Sequence, residues 1–560
     1  MRKYWKISNP PSTLVSILES ELKIHSVLAK LLANRGIKNC QQAKDFLSSD
    51  LSSLIAPSKL EGMELAVLRI KEAITRKERI LIYSDYDVDG VSSCAIIETV
   101  LKKISAQVMH YIPHRIKDGY GLNKSIVKVC LDNNIGIVIA LDCGTSDKEV
   151  VEILKENKID CIVVDHHHPV SGNLASPYSL VNPKLKGSKY EFKDMAAVGL
   201  AFKLAWALRG ELPEDLLDLA CLGTVADVVH LTGENRIIVK EGLRHLKNTT
   251  RPGLLALLKL NRLDGQELSP FHISFILAPR INASGRVDTA YAALDLLLCE
   301  DSSIACNLAN NLNKHNQLRQ RLESDVFEEA LNKIEREIDF DKQKVIVLHQ
   351  DGWHLGVIGI VAAKLAERFC RPALVISLDE KDGRGSARSI DSFHIVEALN
   401  ECSRFLRDFG GHKRAAGFSI EKDNIASFKN SINKFAQSII KEENLIPVLN
   451  IDAEIPLCEA DDKLFLGINE LVPFGEGNPE PVFCSRGLTL KAKPQQLAKD
   501  TLKLLLTDGK ATISAVGFGL ASLASLIQDN SRIDIAYTVS KDTWQGRNNI
   551  VLKIKDLQAF

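Results

Sequence analysis

Short, mainly apolar segments alternate with amphipathic segments from residue 79 to residue 164, and this alternation constrains the fold more than any other feature. The apolar segments are 80–83, 108–112, 135–141 and 161–164, and the predicted helices between them are 91–103, 124–131 and 147–156. Strands that are apolar on both faces are typical of a parallel sheet covered by helices on both sides. The pattern predicts an open parallel α/β sheet, which a helical region over 194–262 completes.

The rest of the chain shows two further patterns. Residues 290–338 read as one long or once-broken polar helix, which is typical of a connector between domains. A second α/β pattern follows, with strands at 345–348 and 373–376 around a helix at 356–368. After a helix at 425–443, short alternating segments predict a small OB-like β-barrel. The predicted barrel strands are 448–455, 487–492, 502–507, 513–518, 532–539 and 549–554.

The predicted fold class is therefore α/β, with two α/β domains joined by a long helix and followed by an OB-like barrel. The predicted segments are an N-terminal helical segment (1–60), a first α/β domain (61–289), the connecting helix (290–338), a second α/β domain (339–444) and the barrel (445–560).

Composition limits the class of protein and its partners. The chain has 560 residues, 45% of them hydrophobic and 25% charged, which is enough for several cores and excludes a disordered or collagen-like chain. Lys plus Arg and Asp plus Glu each number 71, so any nucleic-acid surface must be a local patch. No apolar stretch is long enough for a membrane span or a secretory signal. The twelve cysteines form no C-x-x-C pair, so we expect reduced thiols and a cytoplasmic protein.

Three strands of the first predicted sheet end in acidic or histidine residues. Asp85, Asp87 and Asp89 follow the first strand, Asp142 follows the third, and Asp165, His166 and His167 follow the fourth. Because ligands bind at the carboxyl ends of the strands in an open α/β sheet, we expect these segments to converge on one crevice. Asp227, a lone carboxylate in an apolar helix, could reach the same edge.

Several carboxylates cannot share a small space in ionised form unless cations neutralise them. Imidazole and carboxylate without thiolate suit manganese or magnesium, and the number of ligands suits two ions. Each segment alone has a simpler explanation, such as a solvated turn. A calcium loop starting at Asp85 is disfavoured because its twelfth position is Ile96 and not glutamate.

A second set of residues is cationic and lies in or near glycine-rich segments. Arginine binds phosphate with two hydrogen bonds, and glycine lets backbone N–H groups approach the same anion. A single arginine is more often an ordinary surface residue, but here two glycine-framed motifs, Gly-Ser-x-Arg and Gly-Gly-His, occur together. The candidate phosphate contacts are Arg115, Arg280, Arg286, Ser386, Arg388 and His412.

The ordered motifs resemble the DHH phosphoesterase superfamily and, within it, the RecJ family of single-strand-specific 5′ to 3′ exonucleases. The resemblance covers roughly residues 60–560 and rests on the acidic segment 84–90, the Asp-His-His of 165–167, and the motifs at 111–115, 119–121, 181–183, 223–229, 233–236, 279–286, 385–389 and 410–418. It implies a DHH catalytic domain followed by a DHH-associated (DHHA1) domain, and a role in DNA repair and recombination.

The resemblance also assigns roles. It implies metal ligands at Asp87, Asp89, Asp142, His166 and Asp227, with Asp85 and His167 as further ligands or as supports of the same Mn²⁺ or Mg²⁺ centre. It implies that Arg115, Ser386 and Arg388 hold the terminal 5′ phosphate of single-stranded DNA. We expect His168 not to be a ligand.

Further expectations concern the barrel and the partners. In the barrel, Trp544 and Arg547 are candidate strand contacts, although Trp544 could equally belong to the core. We expect a monomer that works with a single-strand-binding protein and a helicase.

Two alternatives remain open. The first is a DHH phosphodiesterase of small or cyclic nucleotides, against which the C-terminal barrel counts. The second is a catalytically inactive RecJ-like replication scaffold, which predicts missing carboxylates, whereas all of the expected ones are present.

Overall fold

The computed structural model describes residues 3–115, 117–170, 172–527, 531–542 and 549–560. The strands, numbered in chain order, are β1 (Tyr4–Ile7), β2 (Arg79–Ser84), β3 (Gln107–Tyr111), β4 (Ile135–Leu141), β5 (Asp160–Val164), β6 (Ser179–Val181), β7 (Ile346–Asp351), β8 (Ala373–Leu378), β9 (Asp382–Arg388), β10 (Leu406–His412), β11 (Ala415–Glu421), β12 (Val448–Ile451), β13 (Ala453–Glu454), β14 (Phe483–Leu490), β15 (Gln495–Leu497), β16 (Thr501–Thr507), β17 (Thr512–Phe518), β18 (Ile533–Asp542) and β19 (Asn549–Ala559).

The helices are α1 (Ser12–Leu22), α2 (Ser26–Asn34), α3 (Cys40–Ser48), α4 (Met63–Thr75), α5 (Val88–Lys103), α6 (Ser125–Asp132), α7 (Lys148–Glu156), α8 (Ala197–Arg209), α9 (Leu217–Ala226), α10 (Gly233–Lys247), α11 (Pro252–Leu260), α12 (Pro270–His272), α13 (Ala278–Val287), α14 (Tyr291–Leu298), α15 (Ser302–Glu337), α16 (Leu355–Phe369), α17 (Ile395–Glu401), α18 (Ile425–Ile439) and α19 (Asp462–Asn469). A π-helical turn, Ile273–Leu277, joins α12 to α13. None of the described helices is both long enough and apolar enough to cross a membrane.

The chain divides into two compact units. One comprises residues 1–55, 228–241 and 448–560, and the other comprises residues 56–227 and 242–447. The domain boundaries proposed from the sequence remain predictions.

The larger unit contains the predicted parallel sheet, with strand order β3-β2-β4-β5-β6. Its register aligns Ser84 with Leu141, and Leu141 with Val164, so β2, β4 and β5 end in one row. The central strands are buried on both faces, as their sequence predicts. Helix α5 follows β2, is buried along most of its length, and packs against α8 and α9. This arrangement brings the loops after three strands and the end of α9 to one edge of the sheet.

The second sheet of this unit has the order β10-β11-β9-β8-β7. The predicted strands and helix correspond to β7, β8 and α16. The glycine-rich segments 383–389 and 409–418, for which the sequence predicts no strands, form β9, β10 and β11. A Cβ on Gly385 would lie 2.1 Å from the Phe418 ring on the neighbouring strand. Glycine is therefore required for cross-strand packing here. Because glycine normally disfavours strands, the sequence does not indicate a strand in this segment.

The predicted connector is a helix broken once. Helix α14 ends before Cys299, and Asp301 begins α15 by accepting hydrogen bonds from the backbone N–H groups of Ser303 and Ile304, both at 2.8 Å. Helix α15 is 36 residues long and packs against α11, α13 and α16. It therefore contacts helices from both α/β parts of the larger unit, α11 and α13 from the first and α16 from the second.

The smaller unit contains a seven-stranded sheet in the order β13-β14-β18-β19-β17-β16-β15, and a further pairing of β14 with β16 closes it into a barrel. Helices α1, α2 and α19 bury apolar side chains against the same core. The predicted N-terminal helical segment, residues 1–60, contains a strand as well as helices, because Tyr4–Ile7 forms β1 and pairs in parallel with β12. A four-residue strand whose partner lies more than 400 positions away leaves no local signal.

Candidate metal centre and the adjacent arginine cluster

Three aspartates in different settings lie in the loop after β2 and in the first turn of α5. Asp87 is the N-cap of α5, and its Oδ1 accepts the backbone N–H groups of Asp89 at 2.9 Å and of Gly90 at 3.1 Å. Asp89 lies in the first turn, and its two carboxylate oxygens accept the N–H groups of Ala197 and Val198 at 2.8 and 2.7 Å. A Cβ on Gly90 would lie 2.4 Å from the backbone oxygen of Asp85, so only glycine lets the loop turn this tightly.

The ends of β4 and β5 supply the next residues. Asp142 follows β4 with a left-handed backbone (φ 63°), and its N–H donates to the carbonyl of Val164 at 3.0 Å. His166 and His167 follow β5, and their rings meet edge to face with centroids 4.5 Å apart. Asp142 is 3% exposed and His166 is 6% exposed, so both functional groups are held in the interior.

Asp227 reaches the cluster from the end of helix α9 and not from a strand of the sheet. It is the C-cap of α9 and not a residue within the helix, which corrects the sequence-based placement. Gly223, one turn earlier, allows α9 to pack closely, because a Cβ there would lie 2.7 Å from Val198 and 3.1 Å from Asp89 Oδ1. The small residue at this position therefore lets Asp227 reach the sheet edge.

All seven predicted ligand and support residues come together. Their ligand atoms form three overlapping groups, each within 4.8 Å: Asp142, His166 and His167; Asp89, His166 and Asp227; and Asp85, Asp87 and Asp142. His166 Nε2 lies 3.4 Å from Asp142 Oδ1, 3.6 Å from Asp227 Oδ2 and 3.9 Å from Asp89 Oδ2. The overlap of the groups gives a shared site large enough for more than one ion.

Several atoms of this cluster are buried and lack any hydrogen-bond partner among the described residues. They are Asp85 Oδ1, Asp142 Oδ1, and both ring nitrogens of His166. Leaving such buried donors and acceptors unpaired costs about 1–3 kcal/mol each, and more when the group is charged. A divalent cation would satisfy the two carboxylate oxygens and the unprotonated ring nitrogen of His166, so these groups fit Mn²⁺ or Mg²⁺.

The electrostatics of the cluster lead to the same conclusion. Burial, reinforced by the charges of Asp89, Asp87, Asp85 and Asp227, raises the pKa of Asp142 well above its usual range. Burial and the charge of Asp87 raise the pKa of Asp89 to about 7. Burial, with the neighbouring His167, lowers the pKa of His166 to about 3, so its imidazole is neutral and able to bind a metal. Without a cation the cluster is thus driven toward its uncharged forms.

Three residues that support the cluster were missed as site residues, although their motifs are visible in the sequence. Asp165 accepts hydrogen bonds from His167 Nδ1 (2.7 Å) and from the N–H groups of His166 and Thr145 (2.7 and 3.0 Å). The Tyr120 hydroxyl lies 2.9–3.0 Å from the ring nitrogens of His167. The side-chain amide of Asn182 donates to the carbonyl of His167 at 2.9 Å. Short motifs mark these positions, but only the folded chain shows that they orient His167.

Three of the predicted phosphate contacts, Arg115, Arg286 and Arg388, lie close to one another, and we call them the arginine cluster. Burial, and then the charges of Arg115, Arg319 and Arg388, lower the pKa of Arg286 to about 9, while Asp87 opposes the shift. Burial and Arg115 also lower the pKa of Arg388. Among the described residues, none of the three has a carboxylate within ion-pair distance. Mutually repelling, uncompensated cations beside an acidic centre are suited to binding an anion.

Ser386 and Arg388 are held together on β9. Arg388 Nη1 donates to Ser386 Oγ at 3.2 Å and to the carbonyl of Ala387 at 2.8 Å. Helix α16 crosses them at Gly359, where a Cβ would lie 2.9 Å from Ser386 Oγ and 3.3 Å from Arg388 Nη2. Glycine keeps this face of the pair free from steric obstruction.

The other predicted contacts behave differently. Arg280 Nε donates to Asn313 Oδ1 at 3.1 Å and its Nη1 to the carbonyl of Ile276 at 2.5 Å, so it is tied to α15 and not to the arginine cluster. His412 ends β10, and burial, followed by the charges of His167, His168 and Lys184, lowers its pKa. His168 is exposed and outside the three ligand groups. Trp544 and Arg547 lie outside the described residues.

Known families match along the chain in the same order. The descriptions "DHH family, N-terminal domain", "DHHA1 domain" and "RecJ OB domain" match residues 79–224, 342–438 and 451–556. The single-stranded-DNA-specific exonuclease RecJ of Bacillus subtilis is 38% identical over 556 residues, which are 99% of this chain and 70% of that protein.

Solved structures agree. The crystal structure of RecJ with Mn²⁺ from Thermus thermophilus matches with a TM-score of 0.86 and 29% identity, covering 99% of this chain and 79% of the other. The corresponding Mg²⁺ structure matches with a TM-score of 0.80 and 27% identity, covering 99% and 78%. The parallel sheet, with its acidic cluster and DHHA1 domain, defines a phosphoesterase of the DHH superfamily. Within that superfamily, this chain belongs to the RecJ family.

Proposed function

We propose that this protein is a metal-dependent exonuclease that degrades single-stranded DNA from the 5′ end, in DNA repair and recombination. The observation that carries the proposal is the convergence of seven metal-binding side chains with unpaired buried acceptors. The names and bound Mn²⁺ or Mg²⁺ of the RecJ relatives support it.

We assign the metal ligands as Asp87, Asp89, Asp142, His166 and Asp227, with Asp85 and His167 as further ligands or supports. Two ions, Mn²⁺ or Mg²⁺, would polarise the scissile phosphate and supply an activated water at neutral pH. Asp165 fixes the ring of His167 by accepting its Nδ1–H at 2.7 Å, and Nδ1 lies 3.9 Å from Asp142 Oδ1, so the fixed ring lies at the edge of the centre.

The arginine cluster explains polarity from the 5′ end. We propose that Arg115, Arg388 and Ser386 hold the terminal 5′ phosphate, with Arg286, His412 and Arg280 contacting the strand. A terminal phosphate carries nearly two charges and gains more from guanidinium groups than an internal phosphodiester does. Binding the end group beside the metal centre places the first phosphodiester bond at the ligands.

Two other functions are less well supported. A phosphodiesterase of small or cyclic nucleotides has no need of a barrel, yet residues 451–556 match the RecJ OB domain. An inactive replication scaffold has no need of a metal site, yet the complete ligand set is assembled. We also propose that the protein is a cytoplasmic monomer that works with a single-strand-binding protein and a helicase, and that its domains are those predicted from the sequence.

Metal dependence tests the proposed function. Protein stripped with a chelator should not cleave single-stranded DNA, and added Mn²⁺ or Mg²⁺ should restore cleavage. The same ions should raise the thermal midpoint, because a ligand at a hundred times its Kd stabilises the folded state by about 2.7 kcal/mol. Cleavage that persists in the stripped protein, with no thermal shift on adding metal, would contradict the proposal.

A further inference from the structure

Two phenylalanines stand out on the surface of the larger unit. Phe271 is 59% exposed and Phe275 is 69% exposed, and their rings are in contact, with centroids 4.9 Å apart. Residues four apart lie on one helical face, so the two rings form a continuous apolar surface. We call this pair the aromatic patch.

The aromatic patch is held by well-formed structure. Ser269 and His272 form a capping box at the start of α12. Within the π-helical turn, Ile273 and Leu277 are buried, and the turn packs against α9. π-Helical turns occur frequently at functional sites. The exposure of the two rings therefore results from an ordered element and not from a frayed end.

Helix α12, the π-helical turn and α13 follow one another without a break over residues 270–287, and we call them the helical rod. This rod runs from the aromatic patch to the metal centre. Asn282 on α13 accepts the N–H of Val88, at the start of α5, at 3.1 Å. Arg286, near the end of α13, belongs to the arginine cluster. Phe275 and Arg286 are eleven residues apart, which corresponds to about 16 Å along a helix.

A cation lies between these two ends. The Arg280 guanidinium is fixed by the carbonyl of Ile276, within the π-helical turn, and by Asn313 of α15. The rod therefore presents, in order, two exposed aromatic rings, a fixed cation and a second cation beside the metal ligands. A stacking surface followed by positive charge suits a single strand, whose bases stack while its phosphates pair with cations.

From this order we infer that the aromatic patch is a base-stacking platform for single-stranded DNA behind the end being cleaved. The inference rests on the proposed function for the identity of the strand. Its occupant is one or two unpaired bases of the substrate, several nucleotides from the 5′ end. The platform adds affinity for long strands and leaves the cleavage chemistry unchanged.

Binding in chelator tests the platform independently of cleavage. The Kd for a long oligothymidylate, measured by fluorescence anisotropy, should rise by roughly five- to hundredfold for each stacked base lost in Phe271→Ala/Phe275→Ala. A Phe271→Trp/Phe275→Trp variant should retain wild-type affinity, because it keeps aromatic faces. Leu131→Ala, which removes an exposed apolar side chain from α6, is the matched control and should have no effect.

A dinucleotide provides the second arm, since it is too short to reach the aromatic patch from Arg286. The alanine variant should cleave it at the wild-type rate with Mn²⁺. Unchanged affinity of the alanine variant for the long strand would overturn the inference. The inference would also be overturned if the only defect of this variant were weaker self-association, measured by light scattering. If the wild-type protein binds the long strand without cleaving it, and the alanine variant binds that strand more weakly, the proposed function is refuted while the platform is still supported.

Discussion

Asp142→Asn should lose more than about a hundredfold in cleavage rate while remaining folded and able to bind single-stranded DNA. Removing even a residue that only supports a metal ligand commonly costs ten- to hundredfold in affinity or activity, and a direct ligand should cost more. Asp142 belongs to two of the three ligand groups, so its loss weakens both ion positions. Cleavage is measured at saturating Mn²⁺, and binding by anisotropy in chelator.

Thermal stability provides a second measurement. The substitution that lowers the cleavage rate should not lower the thermal midpoint of the metal-free protein. Because burial and neighbouring charges raise the pKa of Asp142 in the folded protein, its ionised form destabilises the metal-free fold as pH rises through that pKa. The asparagine variant should therefore have a metal-free thermal midpoint at least as high as that of the wild type, and a smaller rise on adding Mn²⁺. Asp132→Asn, on the exposed face of α6, is the control. A variant that keeps wild-type cleavage would remove Asp142 from the centre.

Arg388→Ala should lose most of the preference for 5′-phosphorylated over 5′-hydroxyl strands. A charge-assisted hydrogen bond contributes about 1.5–3 kcal/mol, which is roughly ten- to hundredfold in rate or affinity. The effect is measured as a ratio of kcat/KM on two matched oligonucleotides, so that a general folding defect cancels. Arg388→Lys should recover only part of the preference, because lysine lacks the planar pair of donors.

A nearby arginine separates this effect from general loss of charge. Arg407, on β10 of the same sheet, is paired with Asp382 and Glu421 at the surface. Arg407→Ala should leave the phosphate preference unchanged. An equal drop on both substrates with Arg388→Ala would mean that Arg388 holds the backbone only, and the end-sensing role would pass to Arg115 or Arg286.

The parallel sheet and the metal centre could be predicted because their signals are local. Every ligand except Asp227 follows a strand that is apolar on both faces, and the carboxyl ends of parallel strands meet by geometry. Asp227 was also predicted, because an unpaired carboxylate is conspicuous in an apolar helix. Its position at the end of α9, where Gly223 allows close packing, required the folded structure.

Other features depend on partners that are distant in sequence. The strands β9 and β11 were missed because glycine, which normally disfavours strands, here makes room for Phe418. Arg280 is a predicted phosphate contact, but the hydrogen bonds from its guanidinium to Asn313 and Ile276, which fix its position, could not be predicted from the sequence. The aromatic patch carries no motif, and only the solvent exposure of its rings distinguishes it from core phenylalanines.

End-labelled substrates test the central claim most directly. The wild-type protein, supplied with Mn²⁺, should release the label of a 5′-labelled single strand at the earliest times and shorten a 3′-labelled strand progressively. Blunt duplex DNA should resist, and chelator should stop all cleavage. Early release of the 3′ label, equal cleavage of duplex, or cleavage in chelator would contradict a metal-dependent, single-strand-specific exonuclease acting from the 5′ end.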